Sequence, residues 1–189
     1  MQHKCRMTVI DKKLYPELQR QYCAGPESGA CSCYNVGDEY VFERYGARDD
    51  FWHMGAGTLV KGAPGAAGSE GTPHCSEAWD AVSRYIYTAL QGGSIMQGWM
   101  NDERVMICCC SDGTRPVIFK LERLDYMAVY VSGGTSRVAV IAALSALEGV
   151  SDVVWRDEGF YEVYVAASVT DAAIRSAVEA AGCLAERID

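Results

Sequence analysis

Eight of the nine cysteines occur at or before Cys110 and only Cys183 follows, so the chain falls into two chemically distinct regions before any element is assigned. The charge balance changes at the same place. Up to Asp125 there are 13 Lys and Arg against 16 Asp and Glu, whereas from Tyr126 onward there are 4 against 9. At a usual ~100 to 200 residues per domain, a chain of 189 residues holds one large domain or two small ones. The compositional break predicts two, a cysteine-rich domain over residues 1–125 and a second over 126–189. Hydrophobic residues make up 49% of the chain and charged residues 22%, which excludes disorder and predicts a sizeable core.

The formal net charge of −8, with no basic run, predicts no nucleic-acid partner and no anionic membrane, because phosphate binding needs clustered Lys and Arg to displace counterions. The longest apolar run, Val138 to Leu144, is far shorter than the ~18 or more residues of a membrane span. Charged and polar residues interrupt Met1 to Lys13 before an apolar signal segment can form. The expected compartment is the cytoplasm.

Periodicity then predicts the elements. Cys5, Met7 and Val9 alternate with Arg6 and Thr8, the pattern of a half-buried strand, and Cys5 on that apolar face reads as a packing residue. Leu14 and Leu18 mark a short amphipathic turn or helix interrupted at Pro16. Glu39 and Glu43 alternate with Tyr40 and Phe42 as a second strand whose carboxylates face solvent. Six glycines fall between Gly55 and Gly71, too many for a regular element, since each loses the most backbone entropy on ordering. That segment is expected to be a mobile loop or lid, and it lacks the phosphate-loop pattern because Lys61 precedes Gly62. Ser76 is expected to cap a helix to about Gln91, with Trp79, Val82, Ile86, Ala89 and Leu90 on one face. Val105 to Cys110, the turn Ser111-Asp112-Gly113 and Pro116 to Leu124 read as a hairpin. The scattered Met96, Met100 and Met106 read as gap-filling core.

After Asp125 the predicted order is a strand at Ala128–Val131, a helix at Ser136–Leu147, strands at Asp152–Arg156 and Tyr161–Ala166 joined through Glu158-Gly159, a helix capped by Thr170, and a strand at Leu184–Ile188. This is βαββαβ, the ferredoxin-like order. The expected fold class is α+β: an N-terminal cysteine-rich α+β domain followed by a ferredoxin-like domain.

Three stretches of the first region together resemble an uncharacterised, conserved family of cysteine-containing proteins found largely in anaerobic bacteria and archaea. They are Cys31 through Gly37-Asp-Glu-Tyr, Cys75-Ser-Glu-Ala-Trp79, and Cys109-Cys-Ser-Asp-Gly-Thr-Arg-Pro-Val-Ile-Phe-Lys-Leu-Glu-Arg-Leu124. The likeness covers roughly residues 3–125 and implies a shared set, Cys31, Cys75, Cys109 and Cys110, with no implication about substrate. The glycine-rich segment and Cys23, Cys33 and Cys108 depart from the pattern. The tail resembles heavy-metal-associated domains in element order and in Ala143-Leu-Ser-Ala-Leu-Glu-Gly-Val150. Gly133 and Ser136 stand where those domains carry Cys-x-x-Cys, so metal binding does not carry over to the tail, which is expected to dock a protein partner, self-associate or regulate.

Disulfides are not the default for an odd set of nine cysteines in a reducing compartment. Thiolates suit Zn and iron-sulfur clusters, and four converging sulfurs complete a tetrahedral shell. Cys31, Cys75, Cys109 and Cys110 are therefore the candidate ligands of a soft metal or cluster, with His53 and His74 as spare nitrogens. Cys31 and Cys33 share a face if their segment is extended. In a strand, Cys109 opposes Cys108 and Cys110, so one shared site requires an irregular turn at Cys109-Cys110. Two other readings stand beside this one. An enzyme would use Cys75, or Cys109 with Cys110, as a thiolate nucleophile or redox pair, Cys75 lying where a helix dipole favours the thiolate. A scaffold or interaction protein would have cysteines that serve as small buried hydrophobes.

Overall fold

The computed structural model describes residues 3–43, 59–61, 75–133 and 136–189. It is a mixed α+β structure with four helices among the described residues. The chain divides into two compact units, Gln2–Arg123 and Leu124–Asp189.

The first unit contains β1 (Lys4–Lys12), α1 (Pro16–Tyr22), β2 (Glu39–Phe42), β3 (Leu59–Lys61), α2 (Ser76–Leu90), β4 (Val105–Cys109) and the first part of β5 (Val117–Ser132). Its strands run in the order β3-β2-β1-β5, and β4 also pairs with β5. Register places Cys5 opposite Phe42, Met7 opposite Tyr40, and Cys108 opposite Phe119. The alternation in β1 therefore sends Cys5, Met7 and Val9 into one core with Val117, Phe119 and Leu121 of β5. Val82, Ile86 and Ala89 of α2 complete it. Each large apolar side chain so buried contributes roughly 1.5 to 3 kcal/mol relative to exposure.

Four local expectations are revised. Pro16 begins α1 instead of interrupting a helix, because the first helical position needs no N–H and favours proline's fixed φ. Leu14 thus precedes the helix and is exposed, and the buried residue of α1 is Gln19. Cys75, not Ser76, is the N-cap of α2: its carbonyl accepts from the Trp79 N–H at 2.9 Å, and no side chain caps the end. The strands expected at Pro116–Leu124 and Ala128–Val131 are one strand, because Asp125, Tyr126 and Met127 pair with Val165, Tyr164 and Val163 and leave no gap. Within the glycine-rich segment, Leu59–Lys61 pairs with β2 in the stretch that lacks glycine. The rest of the expected lid lies outside the described residues.

The second unit comprises the remainder of β5, α3 (Arg137–Ser145), β6 (Val150–Arg156), β7 (Phe160–Val165), α4 (Asp171–Ala180) and β8 (Leu184–Ile188). Its antiparallel strands lie in the order β8-β5-β7-β6. Val129, Tyr161, Val163 and Val165 pack with Val140 and Leu144 of α3 and Ile174 and Val178 of α4. Both helices start as their sequences predict: Ser136 Oγ accepts from the Val138 N–H, and Thr170 Oγ1 from the Ala173 N–H, each at 3.3 Å. α4 ends in a Schellman motif. Gly182 adopts φ +77°, its N–H reaches Glu179 O at 2.8 Å, and the Cys183 N–H reaches Val178 O at 3.1 Å, a geometry that favours glycine at the left-handed position. None of the described helices is long and apolar enough to cross a membrane.

Glu122 is a buried charge in the first unit, its side chain only 7% exposed. Arg6 Nη2 donates to its Oε2 at 2.7 Å and Lys120 Nζ at 3.1 Å. Burial opposes ionisation, but the hydrogen bonds and charges of Arg6 and Lys120 prevail and hold the carboxyl below the usual range. A depressed folded-state pKa contributes stability above the unfolded value, near 4.3 for Glu, and that stability is lost as pH falls through the folded value. Arg6→Ala is expected to cost about 1 to 3 kcal/mol at neutral pH by urea unfolding, Lys120 remaining as a partner. The difference from wild type should shrink as pH falls below the ordinary Glu range. A difference that stayed constant across that range would contradict the assignment to Glu122.

Candidate thiol site

A buried amide assembles this site. Gln19 of α1 is 2% exposed. Its Nε2 donates to Gly29 O at 3.1 Å and to Thr114 Oγ1 at 3.5 Å, and its Oε1 accepts from the Gly29 N–H at 3.1 Å. Backbone bonds from Tyr15 N–H to Thr114 O at 2.8 Å and from Lys13 N–H to Pro116 O at 2.9 Å run alongside. The loop leading to Cys31 and Cys33 and the turn after Cys110 are thereby anchored to the same helix.

Asp112 organises that turn, as its position before Gly113 predicts. Its Oδ1 accepts from the Thr114 N–H and hydroxyl at 2.9 Å each and from the Arg115 N–H at 3.2 Å, and its Oδ2 accepts from Arg115 Nε at 2.9 Å. Burial works against the charged form, yet these donors hold the carboxyl below its ordinary range. Ser111 Oγ donates to Glu77 O at 3.4 Å, tying the turn to the first turn of α2, whose N-cap is Cys75.

Three thiols and one cation meet within this frame. The Cys33 thiol is pushed up by partial desolvation first, then by the charge of Cys31, a hydrogen bond to the Cys31 thiol and the charge of Cys75, while Arg115 pulls it down. Arg115 interacts with Cys31 and Cys33 together. The backbone bends at Ser32 and Cys33 instead of running extended, so the two sulfurs approach by a bend rather than by sharing the face of a strand. Tyr34 closes the inner side. Its ring lies edge-on to Phe119 at 5.4 Å and to Tyr40 at 6.0 Å. Burial first, then the charge of Cys75, raises its hydroxyl pKa, against a hydrogen bond from the Cys75 backbone.

Of the four cysteines singled out from the sequence, Cys31 and Cys75 are half-buried and share this neighbourhood. The irregular turn needed to bring Cys109 and Cys110 into one site does not form. β4 stays regular through Cys109, which pairs with Ile118 and is exposed. Cys110 continues the ladder: it is 8% exposed, its N–H donates to Val117 O at 3.1 Å, and its Sγ accepts from the Val117 N–H at 3.4 Å. Those two bonds keep the alternation and set the pair on opposite faces. Among the described residues no group of three or more Cys, His, Asp or Glu side chains is arranged to hold a metal ion. His53 and His74 lie outside the described residues.

The other thiols have their own surroundings. Burial pushes Cys5 and Cys108 up to about 12 each, Cys108 further through the charge of Cys109 and against that of Arg84. Cys5 is a core residue, as its strand face predicts. Glu39 accepts from Thr8 Oγ1 at 3.2 Å and Glu43 pairs with Lys4 at 2.7 Å. Met106 is buried in the core, with Met96 and Met100 against it, and Trp79 packs 6.1 Å from Phe42.

Sequence reasoning left Cys33 outside the family set although the Cys-x-Cys spacing was visible. It had no signal for Gln19, whose bonds cross 10 and 95 residues of chain. No protein family, curated protein or solved structure matches the chain.

Gln19→Leu keeps the volume of the side chain and removes all three bonds, leaving the Gly29 N–H and carbonyl without them. The expected loss is about 1 to 3 kcal/mol in denaturant unfolding, accompanied by faster proteolysis between Cys23 and Cys33. Unchanged cleavage of that loop would show that Gln19 does not hold it.

Proposed function

We propose that the first unit is a thiol-based module whose working centre is the Cys31/Cys33 dithiol, with Cys75 as a third thiol beside it and Arg115 as its cation. The observation that carries this reading is that Cys31, Cys33, Cys75 and Arg115 lie within electrostatic reach of one another, with Gln19 tying Gly29, two residues before Cys31, to Thr114 beside Arg115. Two close thiols are suited to thiol–disulfide exchange. In this reading Cys31 is the attacking sulfur and Cys33 the resolving one. Its thiolate opens an acceptor disulfide to a mixed disulfide, and Cys33 then displaces the second half and closes Cys31–Cys33. The pair gives up two electrons and two protons, and the acceptor leaves as two thiols.

A second reading, a soft-metal or cluster site for Zn or an iron-sulfur cluster, is favoured by one feature: Cys75 joins the pair from a distant segment. Cys33 then takes a ligand position that the sequence assigned to Cys109 and Cys110. The order βαββαβ, with strands β8-β5-β7-β6, supports reading the second unit as a ferredoxin-like module that docks a protein partner or a second copy. Its fold alone assigns it no chemistry. A dithiol centre fits a reducing compartment, in line with the cytoplasmic expectation.

Anaerobic purification followed by metal quantification, an absorption spectrum and mass mapping after titration with oxidised dithiothreitol tests both readings. The dithiol reading expects a Cys31–Cys33 disulfide that forms reversibly without metal and is lost in Cys33→Ser. Stoichiometric metal that disappears in both Cys31→Ser and Cys75→Ser would establish the second reading instead. Neither disulfide nor metal would sink both.

A further inference from the structure

Arg115 is held more firmly than a surface arginine usually is, and its position bears on what the dithiol proposed above would react with. Nε and the backbone N–H both bond to Asp112, whose Oδ1 is shared with the Thr114 N–H and hydroxyl. Thr114 is itself tied to α1 by the Tyr15 N–H on its carbonyl and by Gln19 on its hydroxyl. Because Gln19 also holds Gly29, two residues before Cys31, the guanidinium, 37% exposed on its side chain, is fixed within electrostatic reach of both sulfurs while still open to solvent. Among the described residues, the charged and titratable groups facing the pair are Cys75 at the start of α2, Tyr34 immediately after the pair, and Arg115 with Asp112 behind it. Of these, Arg115 carries the positive charge.

Attack by a thiolate on a disulfide that bears carboxylates brings like charges together, and a cation fixed at the sulfurs offsets that repulsion. The chain's net charge of −8 opposes such a substrate at long range, but at ~0.1 M salt its field is screened beyond about 10 Å. The nearest fixed charge then decides. We propose that Arg115 is a specificity residue that makes the Cys31/Cys33 pair prefer carboxylate-bearing disulfides over neutral or cationic ones. The inference rests on the dithiol reading for its chemistry. The S–S bond of the substrate breaks as the Cys31 mixed disulfide forms. That mixed disulfide breaks as Cys31–Cys33 closes, and both substrate halves leave as thiols carrying the two protons.

The test compares single-turnover oxidation of the full-length protein by dithiodiglycolate, 2-hydroxyethyl disulfide and cystamine, read by mass spectrometry on the peptide holding Cys31 and Cys33. Rates are normalised to a small dithiol. Wild type is expected to favour the dianionic over the dicationic disulfide by about fivefold at roughly 0.01 M salt and to lose that preference near 1 M. Arg115→Gln should abolish or invert the preference, Arg115→Lys should keep it, and Asp112→Asn, which removes the opposing charge, should increase it. The Asn variant also decides the matter if Arg115→Gln does not fold. The ratio of alkylation at Cys31 by iodoacetate and iodoacetamide, in the same variants, requires a thiolate and no disulfide chemistry. If no disulfide reacts but this ratio falls in Arg115→Gln, the dithiol reading fails while the charge role of Arg115 stands. Ratios that are equal in wild type, Arg115→Gln and Asp112→Asn overturn the proposal.

Discussion

Every buried N–H and carbonyl needs a partner, and β5 supplies such partners to four other strands. Over 16 residues from Val117 to Ser132, β5 pairs with β1 and β4 in its first part and with β7 and β8 in its second. It is an interior strand of the sheet in each unit. Val117, Phe119 and Leu121 face the first core, and Val129 faces the second. The alternation slips where Leu121 and Glu122 are both buried, which draws a carboxylate inside and makes the Arg6 and Lys120 partners necessary. A buried charge without such partners is strongly destabilising. Glu162 of β7 shows the same logic in the second unit, fully buried and held by Arg156.

The thiol site depends on polar clamps more than on the apolar core. α1 has seven residues, too few to persist alone, yet it presents a buried amide to a loop and a turn at once. With Gly29 and Thr114 tied to Gln19, and Thr114 and Arg115 tied to Asp112, the cation and the two sulfurs are placed by a chain of hydrogen bonds whose members are each satisfied. Such networks rigidify a site when complete. Cys5, Cys108 and Cys110 are spent on packing, where burial suppresses the thiolate in Cys5 and Cys108 and a backbone donor occupies the sulfur of Cys110.

Much of the fold was legible because it is governed by local rules. Period-two alternation marked β1, β2 and the strands of the hairpin; Ser136 and Thr170 marked helix starts; Glu158-Gly159 and Gly182 marked a turn and a stop. The errors were equally local in origin. Pro16 reads as a breaker unless it stands at the first helical position. Ser76 reads as a cap unless the preceding carbonyl already closes the first turn. Pro116–Leu124 and Ala128–Val131 read as separate strands until the pairing of Asp125, Tyr126 and Met127 with β7 joined them.

The amino-acid sequence by itself determined that thiols concentrate in the first region, that the tail is βαββαβ, and that Cys109 must oppose Cys108 and Cys110 if their segment is a strand. Periodicity, caps and turn residues act over a few positions and can be read along the chain. Only the tertiary structure decided which sulfurs share a neighbourhood. It joined Cys75 to Cys31 and Cys33, set Cys109 facing outward, and turned Cys110 into the core. The physical reason is that convergence is set by long-range bonds, Gln19 to Thr114 and Ser111 to Glu77, between residues whose identities carry no periodic signal of each other.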